Sequence, residues 1–283
     1  MSATDTSDTD TSDGPGAWTG EVLAATALGA HFTRVTLSVP SYRTLGVPDE
    51  SVTLYFPRPG ESAPPAMTFT NGAWGYHGLP DAPIGRNYTI RAADGETLTV
   101  DFVRHGHGVA STWAERAKPG DGIVLWRQRA WYRPPADTDW IVLAADETGL
   151  PAIARTLRQH TGPAPITVLA DGSYPDVPLP ASTGSLFDRM RAFTPPPGRG
   201  YVWFAGECGD ARKARTLWRD VHGLSRDRVT SVGYWRADAQ TWERRYEEIR
   251  PEIELFYQHR LDAGDSLTEA GDHVEDELAR RGL

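Results

Sequence analysis

The feature that most constrains this chain is a change of hydrophobic period at residues 133–139, the Pro-rich polar stretch RPPADTD. Before it, apolar residues come in short alternating runs: WTGEVLAATAL (18–28), FTRVTLSV (32–39), SVTLYF (51–56), NYTIRAA (87–93), ETLTVDFVRH (96–105) and GDGIVLWRQR (120–129). Successive side chains of a strand point to opposite faces, so period 2 in β-branched and aromatic residues selects half-buried strands. The turn Ala93-Asp94-Gly95 makes a hairpin of two of these runs, and Lys118-Pro119-Gly120-Asp121 turns into the last. Five or six such strands argue for a small antiparallel barrel. VASTWAERA (109–117) interrupts them as a short helix, with Ser111 or Thr112 available as N-cap.

After the change, DWIVLAAD (139–146), ITVLAD (166–171) and YVWFAGE (201–207) are almost wholly apolar, and RVTSVGYWR (228–236) adds a fourth strand. LPAIARTLRQH (150–160) and ARKARTLWRDVHG (211–223) are amphipathic helices between them. Strands apolar on both faces, alternating with helices, predict a parallel sheet covered on its two sides. From about 239 onward TWERRYEEIRPEIELFYQHRL and the acidic end read as a polar helical appendage broken at Pro251. The fold class is therefore β + α/β. It divides into a disordered acidic tail over 1–16, an antiparallel barrel over 17–136, an α/β nucleotide-binding-like domain over 137–240 and the appendage over 241–283.

Length agrees: 283 residues suit two domains and a short extension. Four Asp in 1–16, and seven acids against Arg280 and Arg281 in 262–283, account for the net charge of −9. The region between is neutral, so nothing in the charge suggests a nucleic-acid face. No run of about 18 apolar residues predicts a membrane span, and the N-terminus lacks the apolar core of a secretory signal. A lone cysteine, Cys208, excludes an internal disulfide and a cysteine-built metal site. A cytoplasmic location is expected. Ten tryptophans make aromatic-lined surfaces plausible, although core anchoring accounts for most such residues.

A barrel followed by a parallel α/β domain is the layout of ferredoxin-reductase-type flavin reductases, and four segments sharpen the likeness. Arg86-Asn87-Tyr88-Thr89 matches the Arg-x-Tyr-Thr/Ser flavin signature of that superfamily. DFVRHGHGVASTWAERAKPGD (101–121) is similar to the longer signature of one branch, the siderophore-interacting proteins or siderophore ferric reductases. ADETGLPAIARTL (145–157), AGECGDARKAR (205–215) and SRDRVTSVGYWR (225–236) also resemble that branch, so the likeness runs over 17–240.

The resemblance implies an FAD site. Arg86 offers a cation in a rigid fork suited to a pyrophosphate. Tyr88 supplies a flat face for the isoalloxazine ring, and Thr89 a hydroxyl for its N5 region. Val103 and His105 are expected beside the flavin. Gly106 and Gly108 permit close approach, and Ala110, Ser111 and Thr112 bring helix-start amides and hydroxyls to the phosphates. Val109 stands where the family usually has Pro. Trp113 either covers the adenine or fills core. Asp146 and Glu147 cap a helix, with Thr148 near the flavin. These two carboxylates and the lack of a GxGxxG turn set nucleotide docking apart from the Rossmann mode. Gly206 and Glu207 fall where the superfamily places the nicotinamide, with Cys208 a bystander. Trp235 could stack near the flavin and Arg236 receive an anionic chelate.

One departure bears on substrate. The family commonly holds its chelate with a basic cluster including a Lys on an early strand, where this chain has Thr53. Either Arg127, Arg129 and Arg133 rebuild that cluster, or the substrate differs. The function implied is FAD-dependent reduction of a ferric siderophore from Fe(III) to Fe(II), with electrons from NAD(P)H or a ferredoxin. No residue is singled out as a catalytic acid or base. Two alternatives stay open: a flavoenzyme of this fold turned to secondary-metabolite tailoring or flavin reduction, and a non-catalytic binding protein.

Overall fold

The computed structural model describes residues 16–70, 73–106, 108–179, 184–237, 239–265 and 267–283. The tail expected to be disordered therefore lies, up to residue 15, outside the described residues. In chain order the strands are β1 (Ala17–Leu28), β2 (Phe32–Ser38), β3 (Ser51–Tyr55), β4 (Thr68–Thr70), β5 (Ala73–Gly75), β6 (Gly85–Asp94), β7 (Thr97–Val103) and β8 (Gly122–Arg129), with helix α1 (Val109–Ala114) before β8. There follow β9 (Trp140–Ala145), α2 (Leu150–Gln159), β10 (Ile166–Ala170), α3 (Leu186–Ala192), β11 (Gly200–Glu207), α4 (Cys208–Thr216), β12 (Val229–Trp235), α5 (Ala239–Asp262) and α6 (Leu267–Arg280).

Six strands close into an antiparallel barrel in the order β1-β2-β7-β6-β3-β8. The alternation read in the sequence is what fills it: Val35, Leu37, Val52, Leu54, Leu98, Val100, Ile123 and Leu125 form one fully buried cluster. Four strands form the second sheet, β10-β9-β11-β12, parallel as expected. Its apolar strands serve two faces. Ile141, Leu143, Tyr201 and Trp203 pack under α2, whereas Val142, Ala144, Val202 and Phe204 pack under α3 and α4.

Three expectations are corrected. The N-cap of α1 is Gly108, and Ser111 and Thr112 lie inside the helix. Gly106 and Gly108 have φ of 72° and 86°, so the chain turns in the left-handed region where a hydroxyl residue is disfavoured. Pro251 does not break the last segment, since α5 runs through it. Trp242, Tyr246 and Ile249 before the proline and Ile253 after it all join one apolar cluster with Val274 and Leu278 of α6. That shared packing holds both halves in register despite one missing N–H. Helix α3 went unread, although its Ser185 accepts a hydrogen bond from the Asp188 N–H, and Leu186 and Met190 bury one face.

The chain separates into two compact units, one ending at Tyr234 and the other spanning Trp235–Leu283. Within the first, buried polar groups join barrel to sheet. Asp49, fully buried, accepts from the Trp131 N–H and from Trp203 Nε1 at 3.0 Å. Burial raises the Asp49 carboxyl above its ordinary value, more than these hydrogen bonds lower it. A carboxyl raised on folding adds stability below its unfolded value of about 4 and loses it as pH rises through the folded value. Asp49→Asn should therefore gain stability relative to the parent as pH rises, read as Tm at pH 4.5 and 7.5. A parent-to-variant Tm difference that stays constant between these pH values refutes the assignment.

Candidate active site

Strand β6 changes partner midway along its length. It meets β7 from Ile90↔Val100 to Asp94↔Thr97, whereas Gly85–Thr89 pairs with β3. Among the described residues, the other edge of that half-strand carries no ladder and faces the junction of β7 and α1. A ligand along this edge can reach side chains of both faces. Alternation puts Arg86 and Tyr88 on one face and Asn87 and Thr89 on the other.

On the first face the Tyr88 ring lies 4.4 Å from Phe102 and 6.5 Å from Phe56. Burial pushes its hydroxyl up to about 12, with the Arg86 cation pulling the other way. Arg86 is exposed and, among the described residues, donates only to the neighbouring Gly85 carbonyl at 2.9 Å. Trp113 packs tilted against Phe56 at 5.1 Å and edge-on against Phe102 at 5.7 Å, which makes it part of the core, yet its Nε1 is buried without a partner among the described residues. On the second face Thr89 stands opposite Ser51, whose Oγ is likewise buried and unpartnered. The buried Tyr234 hydroxyl, raised by desolvation, meets Thr89 on this face.

The turn after β7 completes the edge. Val103 pairs with Phe32 and packs toward the second core. His105 is exposed, and its N–H donates to Ser111 Oγ at 3.4 Å. Ala110 and Ser111 are buried and Thr112 half-buried, and no side chain caps α1. Its first amides are therefore available from Gly108 onward, as helix starts require some partner for them.

At the carboxyl edge of the second sheet, both Asp146 oxygens are already used. Oδ1 accepts from the Thr148 N–H at 2.8 Å and from the Thr148 hydroxyl, and Oδ2 from the Glu207 N–H at 3.0 Å. Glu207 in turn caps α4 by accepting from Gly209 and Asp210. The carboxylates at this edge thus bind backbone, and Thr148 is tied to Asp146. Cys208 presses against Gly233, where a Cβ would come within 2.5 Å of Sγ. Trp235, 45 % exposed, closes β12 and begins the second unit, in which Arg236 stacks over Trp242 at 4.3 Å.

The basic residues regroup around β3 and β6. One extra residue on β8, between Ser51↔Arg129 and Thr53↔Trp126, makes a bulge at which Arg127 takes a φ of 52°. A left-handed non-glycine residue costs about 1–3 kcal/mol and tends to mark a functional position. Past the bulge, Arg129 donates to Thr53 Oγ1 at 3.3 Å and to Asn87 Oδ1 at 3.0 Å. The threonine of β3 thus holds a guanidinium at its own position. Desolvation and the nearby Arg127 cation lower Arg129, and neither arginine is paired with a carboxylate among the described residues. Arg133 is exposed further on, its N–H donating to Tyr201 Oη at 3.0 Å.

A six-stranded barrel joined to a parallel sheet in this order is the architecture of ferredoxin-reductase-like flavoproteins. A ferredoxin NADP+ reductase from Neisseria gonorrhoeae, solved with FAD and NADP, shares it at a TM-score of 0.55 and 12% identity, over 78% of this chain and all of that one. The siderophore-interacting FAD-binding domain profile matches residues 21–130, and the siderophore-interacting protein profile residues 175–238. The chain belongs to the siderophore-interacting protein family. A siderophore utilization protein from T. fusca superposes with a TM-score of 0.67 at 26% identity, over 78% of this chain and 93% of that one. An NADPH-dependent ferric-chelate reductase of Escherichia coli K12 is 32% identical over 143 residues, 48% of this chain and 54% of that protein. The chain spans about half the length of that relative and of the mycobacterial relatives it matches. No described helix is long and apolar enough to cross a membrane.

Proposed function

We propose that this chain binds FAD along the free edge of β6 and reduces a ferric siderophore, with NAD(P)H or a ferredoxin as electron donor. The observation that carries this reading is the placing along that edge of the exposed Arg86, the Tyr88 ring, and Thr89 opposite the buried, orphaned Ser51 Oγ. Buried polar groups are nearly always satisfied, so an orphaned hydroxyl beside an unpaired strand edge and an aromatic face fits a polar ligand with a flat apolar ring. Held there by Arg86, Tyr88 and Thr89, FAD would supply two-electron uptake from the donor and one-electron delivery to Fe(III).

The protein's own part is holding and orienting. Arg86 and the amides at the start of α1 suit the pyrophosphate, Tyr88 the ring face, and Thr89 with Ser51 the polar edge of the ring. Val103, His105, Ala110, Ser111, Thr112 and Thr148 remain proposed neighbours of the cofactor. Arg127 and Arg129 suit the anionic chelate, with Arg133 as an outer cation. Fe(II) is softer than Fe(III) and holds hard oxygen ligands less tightly, so reduction releases the metal. The cation that Thr53 and Asn87 hold through Arg129 favours this reading over a repurposed flavoenzyme, because it restores a positive charge where the lysine is missing.

Anaerobic reoxidation of the photoreduced holoprotein by an anionic ferric chelate tests this. The expected result is a rate that falls as ionic strength rises, and that drops about threefold at low salt in Arg129→Ala with the flavin spectrum intact. A yellow protein that ferric chelates fail to reoxidise would point instead to tailoring or flavin reduction. A colourless one would point to a binding protein.

A further inference from the structure

Between β3 and β6 the chain inserts the small β4–β5 hairpin, and this hairpin carries exposed aromatic surface. Phe69 is 61 % exposed and Trp74 lies 5.5 Å from it, inclined at 54°. Two strands of three residues cannot stand alone in water, so the hairpin must be pinned. It is pinned at two points. The Trp74 ring packs on Gly16, where a Cβ would meet Cδ1 at 2.9 Å. Tyr76 packs edge-on against Tyr55 at 5.2 Å, its hydroxyl buried without a partner.

Both pins lead to the bulged end of β8, where the arginines lie. The Gly16 carbonyl accepts the Arg127 N–H at 3.2 Å, and Tyr55 interacts electrostatically with Arg129. The exposed Phe69 ring and the half-buried Trp74 are thus tethered to the strand that carries two arginines, neither paired with a carboxylate among the described residues. Neither feature serves the barrel core: Phe69 touches solvent, and Arg127 holds a strained backbone. Exposed apolar surface rimmed by charge marks a ligand surface. The chemistry that satisfies both parts is an anion that is itself aromatic, with rings for Phe69 and Trp74 and phenolate or catecholate oxygens for the guanidiniums.

On the reading of the chain as a ferric-chelate reductase, we infer that the β4–β5 hairpin determines specificity and selects anionic ferric chelates built on aryl groups over aliphatic ones. Phe69 is the principal contact. Being exposed, it can be changed without disturbing the fold.

The test is calorimetric titration of the oxidised holoprotein with redox-inert Ga(III) chelates: a synthetic tris-catecholate, citrate and a linear trihydroxamate. The parent should bind the tris-catecholate at least about tenfold more tightly than either other chelate. Phe69→Ala should weaken tris-catecholate binding about 3- to 10-fold and narrow its margin over citrate, Phe69→Leu should behave like Phe69→Ala, and Phe69→Tyr like the parent. Equal parent affinities for catecholate and citrate, an unchanged ratio in Phe69→Ala, or parent-like binding by Phe69→Leu would overturn the hairpin's role while leaving the reductase reading in place. If the parent binds none of the three, the chelate reading itself falls and the inference with it.

Discussion

Arg155→Met is expected to lower stability by about 3–5 kcal/mol, because it strands a buried carboxylate. Arg155 projects from α2 and Glu50 precedes β3, and the Nη2–Oε2 distance is 3.1 Å with both side chains buried. The other Arg155 nitrogen donates to the Ile90 carbonyl at 2.6 Å. Glu50 also takes hydrogen bonds from Tyr42 at 2.6 Å, Thr44 at 2.5 Å and Gln128 at 3.0 Å. Burial and the Glu50 charge push the Tyr42 hydroxyl far above its usual value, so it stays a donor. Methionine fills the volume but leaves Glu50 with neutral donors only and Ile90 without a partner. At roughly 2–4 °C per kcal/mol for a domain of this size, Tm should fall on the order of 10 °C. The pair Glu50→Gln/Arg155→Met should be less damaging than Arg155→Met alone, since it removes the charge together with its partner. A Tm change under about 2 °C for the single variant would class the contact with surface ion pairs, which contribute little.

That contact marks where sequence reading stops. The barrel strands were legible because each run carries its own period of two, and Leu98-x-Val100-x-Phe102 reads the same alone as in the barrel. The sheet was legible because Ile141 to Ala145 are apolar on every position, which only burial on both faces explains. Glu50 and Arg155 carry no such local sign. Their meeting depends on how α2 lies against β6, a relation made by tertiary packing. The same holds for Thr53, Asn87 and Arg129. Thr53 stood out as a missing lysine, but its partner lies 76 positions further on. Only the bulge in β8 brings that guanidinium back to it. Turn chemistry failed locally for a different reason: helix α1 looked as though it needed a hydroxyl cap, yet the glycines before it already set the backbone.

Arg86→Ala should weaken FAD binding about 10- to 150-fold, the effect of losing one charge-assisted and bidentate contact of roughly 1.5–3 kcal/mol. The structure gives the reason for choosing this residue over its neighbours. Tyr88 and Thr89 are packed or buried, so changing them also perturbs the barrel. Arg86 is exposed and, among the described residues, bonds only to the adjacent Gly85 carbonyl and has no carboxylate to satisfy it. Its removal should leave the Tm of the flavin-free protein within about 1 °C of the parent, as surface changes away from special contacts usually do. Lysine at this position should recover only part of the affinity, because an ammonium supplies charge without the planar fork. Flavin content after exhaustive dialysis and fluorimetric titration of the apoprotein measure both quantities. Equal flavin retention in Arg86→Ala would remove Arg86 from the cofactor site. A matching fall in the apoprotein's Tm would show instead that the arginine serves the strand.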